Sequence, residues 1–115
     1  MEFYSLGVTY EELVDMLRAK YEDADARHIF EHIAMQVNIE GEGAGALYVE
    51  VAQRAVCVEP YDYHDRDGLL TTDACTIIDL TSGRLSVAEA LEQKRIHYSG
   101  NPEKLRLFLS IKNRN

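Results

Sequence analysis

Three things are scarce in this sequence: cysteine, with two residues; basic side chains, with 12 Lys and Arg against 20 Asp and Glu; and long apolar runs. Each shortage removes a class of explanation. The basic residues are scattered, so nucleic acid and anionic membrane surfaces are not expected partners, because both are bound through clustered Lys and Arg. The formal charge of −8 reads as a solubilising surface. Cys57 and Cys75 lack CxxC spacing and no secretory pattern accompanies them, which predicts two reduced, partly buried thiols rather than a disulfide or a metal site. No stretch approaches the ~18 apolar residues of a spanning helix. The start MEFYSLGVTYEEL lacks a basic segment followed by an apolar run. The expectation is a cytoplasmic protein with no stable membrane insertion.

Catalytic motifs are missing as well. There is no G-x-S-x-G, no Walker loop, no G-x-G-x-x-G and no HExxH, and the one glycine run, GEGAG at 41–45, joins strand to strand. Phosphate cradles open a helix instead. Carboxylates are plentiful, but acid–base chemistry needs two in one pocket with separated pKa values, which spacing does not show. No enzymatic activity and no cofactor are expected.

What the sequence does contain is patterning. With 46% hydrophobic residues over 115 positions, it has the composition of a single globular domain, 1–115. Thr9 followed by Glu12 forms a capping box, and Tyr10, Leu13, Val14, Leu17 and Tyr21 then recur at helical spacing. From His32 to Glu40 the period becomes two, with Ile33, Met35, Val37 and Ile39 alternating with other residues, which predicts a half-buried strand. GEGAG turns the chain, and Leu47, Val49 and Val51 alternate again. After a turn at Gln53 and Arg54, Val56 and Val58 make a third antiparallel strand that Pro60 stops. The polar, aromatic segment YDYHDRDG at 61–68 reads as a surface loop leading into a short strand, Leu69–Thr72.

Thr72 or Asp73 can cap a short helix with Ala74, Ile77 and Ile78 on one face and Gly83 at its end. The β-branched run Thr76–Ile78 leaves a strand open as the alternative. Ser86 and Glu89 form a second capping box, followed by Val87, Ala90 and Leu91 at helical spacing and by Lys94 and Arg95 at the negative end of the dipole. Ile96 and Tyr98 alternate as a brief fifth strand, Gly100 turns the chain, and Asn101 with Pro102 starts a last helix. That helix carries Leu105, Leu107, Phe108, Leu109 and Ile111, an apolar surface wider than one neighbour requires. It is either sandwiched or lines a cavity.

The stretch TTDACTIIDLTSGRLSVAEALEQKRIHYSGNPEKLRLFLSI resembles the end of the sterol carrier protein type-two domain, where a frame of leucines and glycines runs from helix to helix to strand to helix. The residues at matching positions are Leu80, Gly83, Leu85, Ala88, Ala90, Ile96, Gly100, Leu105 and Leu109. The sequence departs from that frame at Gln53–Arg54, where Asp-Gly or Asn-Gly is common, in the aromatic and acidic segment from Tyr61 to Gly68, and at Lys94–Arg95, where a small residue and glycine are usual.

The resemblance implies an α+β fold: a five-stranded, mainly antiparallel, twisted sheet covered by helices, with an apolar cavity between the layers. It also implies non-catalytic binding or transfer of a lipid-like molecule, whether fatty acid, acyl chain, phospholipid or sterol. Met35, Val37, Val49 and Val51 from the sheet, with Ile77, Ile78, Leu85, Leu91, Leu105, Phe108 and Leu109 from the helices, would surround it. A flexible methionine suits varied ligands. The same residues would equally form a dry core, since apolar periodicity does not separate the two.

Two polar constellations compete with this reading. His28 and His32, four apart, could share a metal ion on a continuous helix, but the change from helical to strand period falls between them. Asp62, His64, Asp65 and Asp67 crowd one loop without the glycine and closing Glu of a calcium loop, so a hydrated turn is expected. Tyr61 and Tyr63 beside them could mark a partner surface. The alternative to lipid binding is therefore a structural or dimer-forming module, in which the last helix or the tyrosine loop is buried against a second copy. An accessory subunit of an enzyme acting on hydrophobic substrates is a further alternative.

Overall fold

Residues 7–22 and 24–112 are described by a computed structural model. The first helix, α1 (Tyr10–Tyr21), begins at the Thr9 cap with both arms of the capping box in place, and buries Leu13, Val14, Leu17 and Tyr21. The periodicity that predicts the helix thus also fixes the face it turns inward. Five strands follow among the described residues: β1 (Ile33–Glu40), β2 (Gly45–Ala52), β3 (Ala55–Glu59), β4 (Gly68–Asp73) and β5 (His97–Gly100). They form a single sheet in the order β3-β2-β1-β4-β5. Between β4 and β5 lie α2 (Ala74–Thr81) and α3 (Val87–Glu92), and α4 (Pro102–Leu109) comes last. The ambiguous run Thr76–Ile78 is helical, capped by Asp73, whose side chain accepts from the Thr76 N–H.

The sheet is mixed. β1 pairs antiparallel with β2 and parallel with β4, while β2–β3 and β4–β5 are antiparallel. Register places one face in the core: Met35 lies opposite Val49 and beside Gly68, and Val37 lies opposite Leu47 and beside Leu70. Alternation therefore sends Ile33, Met35, Val37, Ile39, Leu47, Val49, Val51, Val58 and Leu70 toward the helices, where all are buried. Each such side chain contributes about 1.5–3 kcal/mol of burial. Gly68 on β4 and Gly100 on the edge strand β5 are glycine for want of room. A Cβ on Gly68 would run into the Tyr98 ring, and one on Gly100 into Gly68 and the Asp67 carbonyl.

The parallel β1–β4 pair requires the segment from Pro60 to Asp67 to cross from one side of the sheet to the other. It does so over the face away from the helices, so the expected surface loop is a cover. Gln36, buried on that face, accepts from the Tyr63 N–H at 3.2 Å and from Arg66 Nη1 at 3.3 Å. Asp67 bonds Ala34 twice, its N–H donating to the Ala34 carbonyl and its carboxylate accepting from the Ala34 N–H, both at 2.8 Å. At the β3 edge, Arg18 of α1 donates Nε to the Val58 carbonyl at 3.0 Å and pairs with Glu59. A charged side chain on that carbonyl discourages strand addition.

The β2–β3 hairpin turns on Gln53 (φ 52) and Arg54 (φ 64), both left-handed. That pair of conformations belongs to the two-residue turn that favours Asn-Gly. Cys57 and Cys75 are free, as expected, but exposed rather than partly buried. Cys57 sits on the outward face of an edge strand, and Cys75 falls beside the buried stripe of α2 formed by Ala74, Thr76, Ile77 and Leu80.

Candidate functional site

Where the inward face of the sheet meets the helices there is a small apolar space of about 30 Å³. Every described helix reaches it: Leu17 and Tyr21 from α1, Ile77 and Leu80 from α2, Val87 from α3 and Phe108 from α4. Val37, Val49, Leu70 and Thr72 supply the sheet side, and Ile96 completes the lining. The volume has room for about two water molecules and is an order of magnitude below the roughly 300–1,000 Å³ of ligand pockets. In this structure the helices are settled onto the sheet.

Of the side chains expected around a ligand, Val37, Val49, Ile77 and Phe108 converge on this space. Met35, Val51 and Leu85 are buried elsewhere in the core, and Ile78, Leu91 and Leu105 are half-buried against it. Leu109 is a correction: it is 38% exposed and faces away from the core. The inward stripe of α4 centres on Phe108, with Leu105 turned partly outward, so Leu109, on the far side of Leu105, is carried toward solvent. Sequence reasoning did not place Leu17, Tyr21, Leu70, Thr72, Leu80, Val87 and Ile96 around a ligand. Leu17 and Tyr21 were visible as an apolar stripe, yet a stripe shows which face is covered and not which neighbours meet over it.

The lining is nearly free of polar groups. Burial holds the Tyr21 phenol protonated, well above its usual range, and its ring packs on Phe108 at 5.8 Å between centroids. Thr72 spends its hydroxyl on the Arg95 carbonyl at 3.1 Å. Among the described residues no buried side-chain polar atom lacks a partner. A space lined this way offers dispersion and dehydration and little else, which suits an alkyl group and gives no handle for bond-breaking.

The sheet's outer face carries a polar cluster with a different character. Glu50 accepts from Tyr63 Oη at 2.9 Å, lies 2.5 Å from His32 Nε2, and is 3.7 Å from Cys57 Sγ. The His32 hydrogen bond holds the Glu50 carboxyl below its ordinary range. The Tyr63 phenol is raised by its bond to Glu50, and the Cys57 thiol is raised by burial and by the Glu50 charge. With Tyr48 edge-on to Tyr63 at 4.8 Å, the cluster fastens the covering segment to the sheet.

His28 lies far from His32 in role, its Nε2 2.9 Å from Ser110 Oγ. Among the described residues no group of three or more His, Cys, Asp or Glu is placed to hold a metal ion. Nor, among them, is any helix long and apolar enough to cross a membrane.

Strand order, the parallel central pair and the helices packed over one face define the sterol carrier protein type-two fold, which agrees with the resemblance read from the C-terminal sequence. Solved structures share it at low identity. The palmitated SCP2L2 of Aedes aegypti superposes with a TM-score of 0.64 at 18% identity, over 94% of this chain and 100% of that one. Apo sterol carrier protein 2 from Yarrowia lipolytica gives 0.59 at 14% identity, over 93% and 99%. The sec-alkylsulfatase Pisa1 from Pseudomonas sp. gives 0.68 at 13% identity over 94% of this chain, which spans only 17% of the sulfatase chain. No family model and no curated protein matches the sequence.

Proposed function

We propose that the domain binds the alkyl chain of a lipid-like molecule between α4 and the sheet, without chemistry, and that α4 is the wall that yields. The observation that carries this is the way α4 is held. Its only fully buried side chain is Phe108, Leu105 and Leu107 are half-buried against the core, and its other attachments are polar. The Tyr98 hydroxyl donates to the Asn101 carbonyl at 2.6 Å, Lys104 Nζ donates to the His32 carbonyl at 2.9 Å, and Ser110 meets His28. Exposed contacts of that kind exchange with water at a net cost of about 1 kcal/mol each. A chain entering beside Phe108 would find an apolar lining already assembled from every described helix. Similarity to the palmitated SCP2L2 supports the same reading.

Thermal unfolding with palmitate, a phospholipid and cholesterol, together with native mass spectrometry of freshly purified protein, tests it. Stabilisation should grow with free ligand as RT ln(1 + [L]/Kd). An unmoved Tm with all three probes and no co-purified lipid refutes the proposal.

The volume of about 30 Å³ favours a second reading, a filled structural or dimer-forming module. The likeness to one part of a larger alkylsulfatase chain points the same way. Sedimentation separates them: a stable dimer in lipid-free protein that ignores added fatty acid supports the module.

A further inference from the structure

The outer face of the sheet, turned away from the helices and the apolar space, carries a surface cleft of about 380 Å³ lined by Tyr48, Tyr61, Asp62, Tyr63, His64 and Asp65. Its aromatic residues come from two sources. Tyr48 alternates with the inward Leu47 and Val49 on β2, so its ring stands on the outward face, opposite Gln36 of β1 and Glu59 of β3. Tyr61 and Tyr63 arrive on the segment that crosses that face.

Two walls of the cleft are already fixed. The Tyr48 and Tyr63 rings stand 77° apart with centroids at 4.8 Å, so they form a corner. Tyr63 is tied at both ends, its N–H donating to Gln36 Oε1 at 3.2 Å and its hydroxyl to Glu50 at 2.9 Å. Tyr61, 64% exposed, supplies a looser third ring. Two other rings are occupied by the protein's own cations, with Lys20 over Tyr21 and Arg54 over Phe30. Among the described residues no Lys or Arg lies over Tyr48, Tyr61 or Tyr63.

Charge at the cleft has one sign. Asp62 and Asp65 line it without a hydrogen bond or ion pair among the described residues, and no Lys or Arg lines it. Burial and the charges of Glu50 and Glu59 raise the Tyr48 phenol, while the bond to Glu50, burial and the Asp65 charge raise that of Tyr63. A cation is therefore favoured over an anion, and the rings decide which cation. A metal ion needs converging oxygen ligands, and among the described residues no group of three His, Cys, Asp or Glu is placed to supply them. A primary ammonium is compact and strongly hydrated. A quaternary ammonium has no N–H to satisfy, and tyrosine faces attract it.

We propose that this cleft binds the quaternary ammonium group of a small organic cation, with Tyr48, Tyr61 and Tyr63 around its methyl groups and Asp62 and Asp65 balancing its charge. The site is separate from the internal one, and its failure would leave lipid binding untouched.

Titration of the full chain with choline, followed through the tyrosine ring resonances by NMR, tests the assignment against dimethylbutanol, an uncharged isostere of the same shape. Choline should shift the Tyr48, Tyr61 and Tyr63 signals saturably, and the isostere should bind more weakly. Tyr61 and Asp65 are both exposed, so their variants should keep the wild-type Tm. Tyr61→Leu should lose about two- to fivefold in choline affinity, the size of one exposed cation–ring contact, while Tyr61→Phe keeps it. Asp65→Asn should weaken choline binding and reduce its sensitivity to salt. Equal binding of choline and the isostere overturns the cation site, as does displacement of choline by sodium or ammonium at matched concentration. Absence of any shift with choline overturns it as well. Protein retained by phosphatidylcholine vesicles that ignores free choline overturns the small occupant.

Discussion

Truncating Phe108 to alanine isolates the contact on which α4 depends. The ring is 4% exposed, touches the small apolar space and packs on Tyr21 with centroids 5.8 Å apart. Removing a buried phenylalanine costs about 3–5 kcal/mol, transfer and cavity terms together. Some 0.5–1.5 kcal/mol of that belongs to the ring pair. A chain of this length is expected to hold roughly 6–17 kcal/mol in all, so the variant should still fold with a much lower urea midpoint. Pairing it with Tyr21→Leu in a double-mutant cycle should return a coupling of about 1 kcal/mol. Hydrogen exchange then distinguishes a local from a global effect: amides of α4 should lose protection before those of β1. A loss of stability below about 1 kcal/mol, with α4 still protected, would mean that Phe108 does not anchor the helix, and the mobile wall would have to be sought elsewhere.

Two further outcomes follow from the backbone and from charge. Gln53→Asn with Arg54→Gly supplies the residues that left-handed φ values of 52 and 64 favour; the double variant should gain about 1 kcal/mol in denaturant unfolding, and a loss would show that the turn is not of that type. Because Glu50 is held below its ordinary value of 4.5 by His32 and Tyr63, its ionised form favours folding. That increment is complete above the ordinary value and disappears as the pH falls through the lowered one. Glu50→Gln should therefore flatten the acid limb of the stability curve as the pH falls below the ordinary value of 4.5, and an unchanged limb refutes the assignment.

How much of this was legible beforehand depends on the kind of information each feature needs. Capping boxes at Thr9 and Ser86 and the Asn101-Pro102 start are local chemistry, and all three stand where the sequence places them. Alternation in β1 and β2 is equally local, and the register confirms which residues face the helices. Partner choice is not local: nothing in the text of Leu69–Thr72 says that the strand lies parallel to β1, and from that pairing follows the crossing of Tyr63 and Arg66 over Gln36. Burial on both faces of β1 is the result, and it hides Ala34 and Gln36, whose alternation reads as outward. The candidate site fails in the same manner. Ile77 and Phe108 were accessible as inward positions, but their convergence with Leu17, Leu80 and Val87 is a property of how helices distant in sequence cross the sheet. Leu109 shows the limit of a wide apolar stripe on a short helix, because one residue of rotation separates a core position from an exposed one.

Chain length offers the sharpest distinction between an interior site and adsorption to the surface. Each methylene taken from water into an apolar interior contributes about 0.8 kcal/mol, which is close to a fourfold change in affinity. Across saturated carboxylates from eight to sixteen carbons, an interior that opens beside Phe108 should therefore show affinity rising by about that factor for each carbon. The rise should stop where the tail meets the limit to which α4 can be displaced. Adsorption over exposed Tyr61 or Phe30 gives a shallower dependence, because only part of each methylene leaves water. Truncating Phe108 should lengthen the rising part by enlarging the interior. A flat series, with Phe108→Ala and wild type indistinguishable, would remove the interior from the account of binding.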